Sequence, residues 1–123
     1  MARNILVVED DPQLQELYST ELRTGGYVPI IAKDGKEGLS KILEEDYSLV
    51  LLDLMLPVLD GISVLNELKT KMPKDKNVRI VVMTNLSNKE MEDKALSLGA
   101  LDVLHKTEIT PRQLIDKIKV WIQ

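Results

Sequence analysis

The chain has 123 residues, enough for one domain with a substantial core, and its 44% hydrophobic and 29% charged residues suit a globular rather than a disordered protein. There is no cysteine, which removes disulfides and thiolate metal sites, and the absence of a signal peptide or a membrane-length apolar run makes a cytoplasmic, membrane-free setting the expectation. With 16 basic and 20 acidic residues the net charge is −4, which argues against direct nucleic-acid binding.

Apolar runs and helical stripes alternate along the chain. Ile5-Leu6-Val7-Val8 reads as a strand ending in Glu9-Asp10-Asp11. Asp11-Pro12 opens a helix, with Asp as cap and Pro in the first position; Leu14, Leu17, Tyr18 and Leu22 share a face, and Gly25-Gly26 closes it. Val28 to Ala32 is a short second strand, followed by a helix striped with Leu39, Ile42 and Leu43 and ending near Asp46. Within Ser48 to Pro57 the four aliphatic residues Leu49 to Leu52 read as a strand buried on both faces that stops at Asp53, and Pro57 with Asp60-Gly61 turns the chain. Ile62, Leu65 and Leu68 mark the third helix, and the polar loop Met72 to Asn77 is expected on the side away from the acids. Val78 to Met83 is the next strand and ends at Thr84; Asn88 caps a fourth helix carrying Met91, Ala95 and Leu98 and stopped by Gly99. Leu101, Val103 and Leu104 form the last strand, ending at His105-Lys106, and Thr110-Pro111 starts a helix striped by Leu114, Ile115, Ile118, Trp121 and Ile122.

Five β-α units in succession imply an α/β fold, a flavodoxin-like doubly wound (βα)5 sandwich whose five-stranded parallel sheet has the order 2-1-3-4-5. The first and third strands then lie together at the switch point, where such sheets bind ligands. The strand ends converging there are Glu9-Asp10, Asp53, Thr84 and Lys106. Carboxylates this close repel by about 4 kcal/mol per pair, at about 4 Å and an effective dielectric constant of about 20, so a cation or a bound proton is required. Hard oxygen donors without Cys or a His cluster point to Mg²⁺, with Mn²⁺ as the alternative. Lys106 adds a mobile ammonium, completing a positive pocket beside a nucleophilic carboxylate, which in-line phosphoryl transfer needs. Singly, Asp11 is a helix cap, Asp10 and Asp53 are turn residues, Thr84 ends a strand and Lys106 is a surface lysine. Jointly, on one rim, they read as a site. His105, the only histidine, reads as structural or solvent-facing.

Over its whole length the chain resembles the receiver domain of two-component response regulators, the chemotaxis regulator among them. ILVVEDDP is similar to the family's acidic first-strand end, LVLLDLMLPVLDG to its phosphoacceptor segment, VVMT to its switch threonine and LGALDVLHK to its terminal lysine. The resemblance implies a single receiver domain over 1–123 with no output domain in this chain. It implies that Asp53 is phosphorylated, that Asp10, Asp53 and the backbone carbonyl of Met55 bind Mg²⁺, and that Glu9 acts through water. Thr84 would bond a phosphoryl oxygen, and Lys106 would pair with the same oxygens. The implied donor is a histidine kinase or histidine phosphotransfer protein. The implied output is a change in the last two helices and fifth strand, read by a downstream protein or a lost output domain, with a dimer through that face also open. Such a domain catalyses only its own phosphorylation and dephosphorylation and is no conventional enzyme.

Three positions depart from the family pattern. Val103 stands where many members carry Tyr or Phe, so a smaller or differently built change is expected at the output face. Thr107 follows Lys106 where Pro is usual, which implies a trans bond and a slightly displaced lysine. Asn85 replaces a small residue and would either crowd the pocket or add a donor. Met55 and Leu86, both apolar, offer nothing to orient an attacking water, so slow self-dephosphorylation is expected. Asp102 with Lys94 and Lys117 is either a pairing set across a dimer or solvated charge. Two other functions compete with the switch: a receiver-like scaffold that binds partners without phosphorylation, and a Mg²⁺-dependent aspartyl phosphatase. The phosphatase would need an acid where Met55 stands.

Overall fold

A computed structural model describes residues 3–85 and 88–122. The apolar runs become strands and the stripes become helices: β1 (Asn4–Val8), α1 (Pro12–Thr24), β2 (Val28–Ala32), α2 (Gly35–Glu44), β3 (Leu49–Asp53), α3 (Gly61–Lys71), β4 (Ile80–Thr84), α4 (Lys89–Ser97), β5 (Asp102–His105) and α5 (Pro111–Ile122). The strands are parallel and ordered β2-β1-β3-β4-β5, the doubly wound sheet expected from the sequence.

β3 and β4 are buried at every position because helices cover both faces of the sheet. Leu6, Val8, Val50, Leu52 and Val82 pack into one layer with Ile42 of α2, Leu65 of α3 and Ala95 of α4. The alternate residues Ile5, Val7, Leu49, Leu51 and Val81 pack on Leu22 of α1 and on Leu114 and Ile118 of α5. Each fully buried leucine or isoleucine contributes roughly 2 kcal/mol. Asp11, Asp34, Asp60 and Asn88 each accept a first-turn backbone N–H, from Gln13, Glu37, Ser63 and Met91, at 2.8 to 3.2 Å. Such caps are worth about 1 kcal/mol each.

The differences from the sequence reading lie at element edges. α2 ends at Glu44, β4 starts at Ile80 and β5 at Asp102. Arg79 still lends its carbonyl to the Val50 N–H at 2.8 Å, so pairing begins one residue before the strand proper. Leu17 is 41% exposed and does not join the α1 core face. The centre of that stripe runs through Tyr18 and Leu22, and an adjacent residue is turned about 100° away from it.

The loop after β3 is held by close backbone approaches. A Cβ on Gly35 would come within 1.6 Å of the Leu59 carbonyl oxygen, and one on Gly61 within 2.4 Å of the Asp53 carbonyl oxygen. Between these fixed points Leu59 N–H bonds the Pro57 carbonyl at 2.7 Å, and Val58 is driven to φ +69°. A β-branched residue in the left-handed region is strained by about 1–3 kcal/mol. Its side chain, 75% exposed, has little packing to offset that. Val58→Gly should therefore stabilise the fold by about 1 kcal/mol after the entropy cost of glycine. Urea denaturation checks this, and an unchanged or lower midpoint would show that the turn is not under load.

Candidate functional site

Parallel register aligns the carboxyl ends of the strands: Val8 lies beside Leu52, Asp53 beside Met83 and Thr84 beside His105. Glu9, Asp53, Thr84 and Lys106 therefore meet at one rim, as expected. Glu9, Asp53 and Thr84 are buried, at 3%, 6% and 0% exposure, whereas Asp10 is exposed. Lys106 Nζ donates to Asp53 Oδ2 at 2.8 Å and to Glu9 Oε1 at 2.5 Å. The other Asp53 oxygen accepts the Met55 N–H at 3.1 Å, and the other Glu9 oxygen accepts the Asp11 N–H at 3.2 Å. Thr84, at the end of β4, accepts the Lys106 N–H on its carbonyl at 2.9 Å, tying the lysine's backbone to the adjacent strand.

The charges act on one another at close range. Burial pushes the Glu9 carboxyl above its ordinary range, against the hydrogen bond and charge of Lys106 that pull it down. Burial alone would depress the Lys106 ammonium. Its hydrogen bonds to Asp53 and Glu9 outweigh that and hold it above the usual lysine value.

Glu9, Asp10 and Asp53 each place a carboxylate oxygen within 4.8 Å of the others, the one such acid cluster found among the described residues. One lysine neutralises one of three carboxylates, so the ionised cluster retains two negative charges. An all-oxygen donor set with an exposed side at Asp10 fits a hard divalent cation such as Mg²⁺ or Mn²⁺ that keeps several of its waters.

The structure places the positions that depart from the family pattern. No cis peptide occurs among the described residues, so Lys106–Thr107 is trans, and the lysine nonetheless reaches both carboxylates. Asn85 is exposed and lines a groove with Thr107, Tyr18 and Lys106 between α1 and the start of α5. Val103 is half-buried and packs on the layer beneath α4. Asp102 accepts its neighbour's Val103 N–H at 2.8 Å. Leu86 lies outside the described residues. His105 has a side-chain partner, Glu92, with Nε2 3.1 Å from Oε1.

Two site neighbours were not singled out in the sequence. Gln15 Nε2 donates to the Glu9 carbonyl at 2.6 Å, pinning the acidic turn from α1. Tyr18 packs close enough for the charges of Lys106, Glu9 and Asp53 to bear on its hydroxyl, whose pKa is raised first of all by burial. Tyr18 shows only as a member of the helical stripe. Gln15 lies one turn after the cap Asp11, a spacing that hints at a return contact without naming its acceptor.

This rim of acid, threonine and lysine at a parallel-sheet switch point coincides with a family match. The model of the response regulator receiver domain matches residues 5–119. The chain belongs to the response regulator receiver domain family. The receiver is 41% identical over 119 residues to the transcriptional regulatory protein CpxR homolog of Haemophilus influenzae, covering 97% of this chain and 50% of that protein. It spans about half the length of the curated relatives it matches. Among solved structures it is similar to the response regulator TrrA of Thermotoga maritima in complex with Mg²⁺-BeF, with a TM-score of 0.82 and 30% identity over 98% of this chain and 99% of that one. The receiver domain of sensor histidine kinase PA1611 from Pseudomonas aeruginosa, with a magnesium ion in its active-site cleft, gives a TM-score of 0.86 and 29% identity, covering 99% of this chain and 98% of that one.

Proposed function

We propose that this receiver is a phosphorylation-operated switch in which Asp53 takes a phosphoryl group from a histidine kinase or histidine phosphotransfer protein. The observation that carries the reading is the buried Asp53 carboxylate, held by the Lys106 ammonium on one oxygen and the Met55 N–H on the other, inside a cluster of acids. In the transfer an Asp53 oxygen bonds to phosphorus as the phosphorus–nitrogen bond to the donor imidazole breaks, and the electron pair leaves with the imidazole. Lys106, freed from part of its contact with Asp53, pairs with the incoming phosphoryl oxygens, and Thr84 donates its hydroxyl to one of them. Asp10, Asp53 and the Met55 carbonyl, with Glu9 acting through water, are the residues that would hold Mg²⁺. Bound there, it would offset negative charge on the phosphoryl oxygens. The fixed dipoles around Asp53 are already aimed when the donor arrives, which is what makes such stabilisation effective.

The output is proposed to pass through α4, β5 and α5 to a downstream protein or an attached effector. A dimer through the same face is part of this reading, and direct nucleic-acid binding by the domain is not. No described helix is long and apolar enough to cross a membrane, and a cytoplasmic location is proposed. The test is intact mass after incubation with acetyl phosphate and Mg²⁺, with and without a chelator. One added phosphoryl group, absent with the chelator, is expected. No adduct with acetyl phosphate or phosphoramidate would move the reading to a receiver-like scaffold.

Met55 is 60% exposed beside the acceptor and brings no polar side-chain atom to it. The phosphoryl group should therefore be lost slowly. Met55→Asn combined with Leu86→Glu is expected to speed its loss about tenfold by giving an attacking water something to bind. The decay of the adduct mass measures this directly, and an unchanged half-life would count against the role of those positions.

A further inference from the structure

Of the nine residues of α4, Ala95 alone is buried; Met91, inside the helix, and Leu98, just past it, are half-buried against the same layer. A helix with so little apolar anchorage opens at low cost, and a polar tie then carries a larger share of its attachment. The tie is present. Glu92 on α4 accepts from His105 on β5, Nε2 to Oε1 at 3.1 Å, with the two side chains 23% and 26% exposed.

His105 also sits between two groups of the site. Thr84 is its register partner on β4, and Lys106 follows it in the chain, with the Lys106 N–H bonded to the Thr84 carbonyl at 2.9 Å. A backbone shift of Thr84 or Lys106 toward a phosphoryl group would therefore carry the His105 backbone with it. Val103, two residues earlier on the same face, is too small to act as a lever there.

We infer that the His105–Glu92 pair is the latch through which the Asp53 site controls α4, holding the helix in the arrangement of the unphosphorylated protein. This rests on the phosphoacceptor reading and specifies its regulation. A latch that favours one arrangement must, by linkage, weaken binding of whatever favours the other.

The experiment uses the full chain as wild type, His105→Ala, Glu92→Ala, the double variant and His105→Gln. Three quantities are measured: hydrogen exchange of the α4 amides, beryllofluoride affinity at fixed Mg²⁺, and the urea midpoint. Each alanine variant should exchange its α4 amides about fivefold faster and bind beryllofluoride about fivefold more tightly, the scale of one hydrogen-bonded pair. The double variant should go no further than the singles, and His105→Gln, which keeps an N–H donor, should return most of both effects. A lowered urea midpoint with unchanged beryllofluoride affinity would overturn the latch and leave a structural contact. Two effects that simply add would also overturn it. If the wild type gives no adduct by intact mass with acetyl phosphate or with phosphoramidate, the phosphoacceptor reading fails and the coupling fails with it. An adduct in the wild type with unaltered variants defeats the coupling alone.

Discussion

Asp53→Asn is expected to take up no phosphoryl group from acetyl phosphate while retaining the fold. The amide has nearly the shape of the carboxylate, so β3 and its neighbours need not repack. It lacks the anionic oxygen that attacks phosphorus, and the other buried acid in contact with Lys106, Glu9, lies at the end of a different strand. The same change removes one of three mutually repelling carboxylates and leaves Lys106 paired with Glu9. Metal-free stability should consequently hold or rise, while Mg²⁺ affinity falls by at least about tenfold for the lost anionic ligand. Intact mass, urea denaturation and a Mg²⁺ titration test the three parts separately. An adduct on the variant would place the acceptor elsewhere, with exposed Asp10 the first residue to examine.

Lys106→Met is expected to destabilise the metal-free protein by about 3 kcal/mol, the scale of removing one partner from a buried ion pair. The side chains concerned are nearly dry: Lys106 and Asp53 are each 8% exposed and Glu9 3%. Two carboxylates would lose their shared cation at once. Glu9 offers partial relief, because burial already favours its protonated form and the lysine that opposes this would be gone. Mg²⁺ should narrow the gap, since a cation bound to the acid cluster replaces the missing charge. Urea melts with and without Mg²⁺ measure both effects. Equal stability of the two proteins in chelator would mean that the ammonium contributes to the site only when a phosphoryl group is bound. Phosphoryl uptake should also fall, because no other described cationic side chain touches Asp53.

Much of this protein is legible locally. Three four-residue apolar runs, Ile5–Val8, Leu49–Leu52 and Ile80–Met83, end in acid or threonine, and with two less regular strands between helical stripes they favour the sheet order 2-1-3-4-5. The encounter of Glu9, Asp53, Thr84 and Lys106 followed from that order before any distance was known. Asp11 and Asn88 were readable as caps because capping depends on a residue and the three that follow it.

Other features depend on groups that meet only once the layers are packed. Gln15 finds the Glu9 carbonyl across a helix turn and a strand end, and Lys106 spans two carboxylates rather than one. His105 read as structural or solvent-facing without a named partner, because Glu92 is 13 residues away on a helix whose rotation is set by Ala95 against the sheet. The left-handed backbone of Val58 goes with the tight Leu59 N–H to Pro57 carbonyl bond around it, in a loop that Leu59 packs against Gly35, 24 residues earlier. The sequence by itself determined the strand order and the acidic, lysine-bearing rim, because period and strand termination are short-range properties. Only the tertiary structure decided the charge pairing inside that rim and the tie from it to α4, because both are contacts between residues that the chain holds apart.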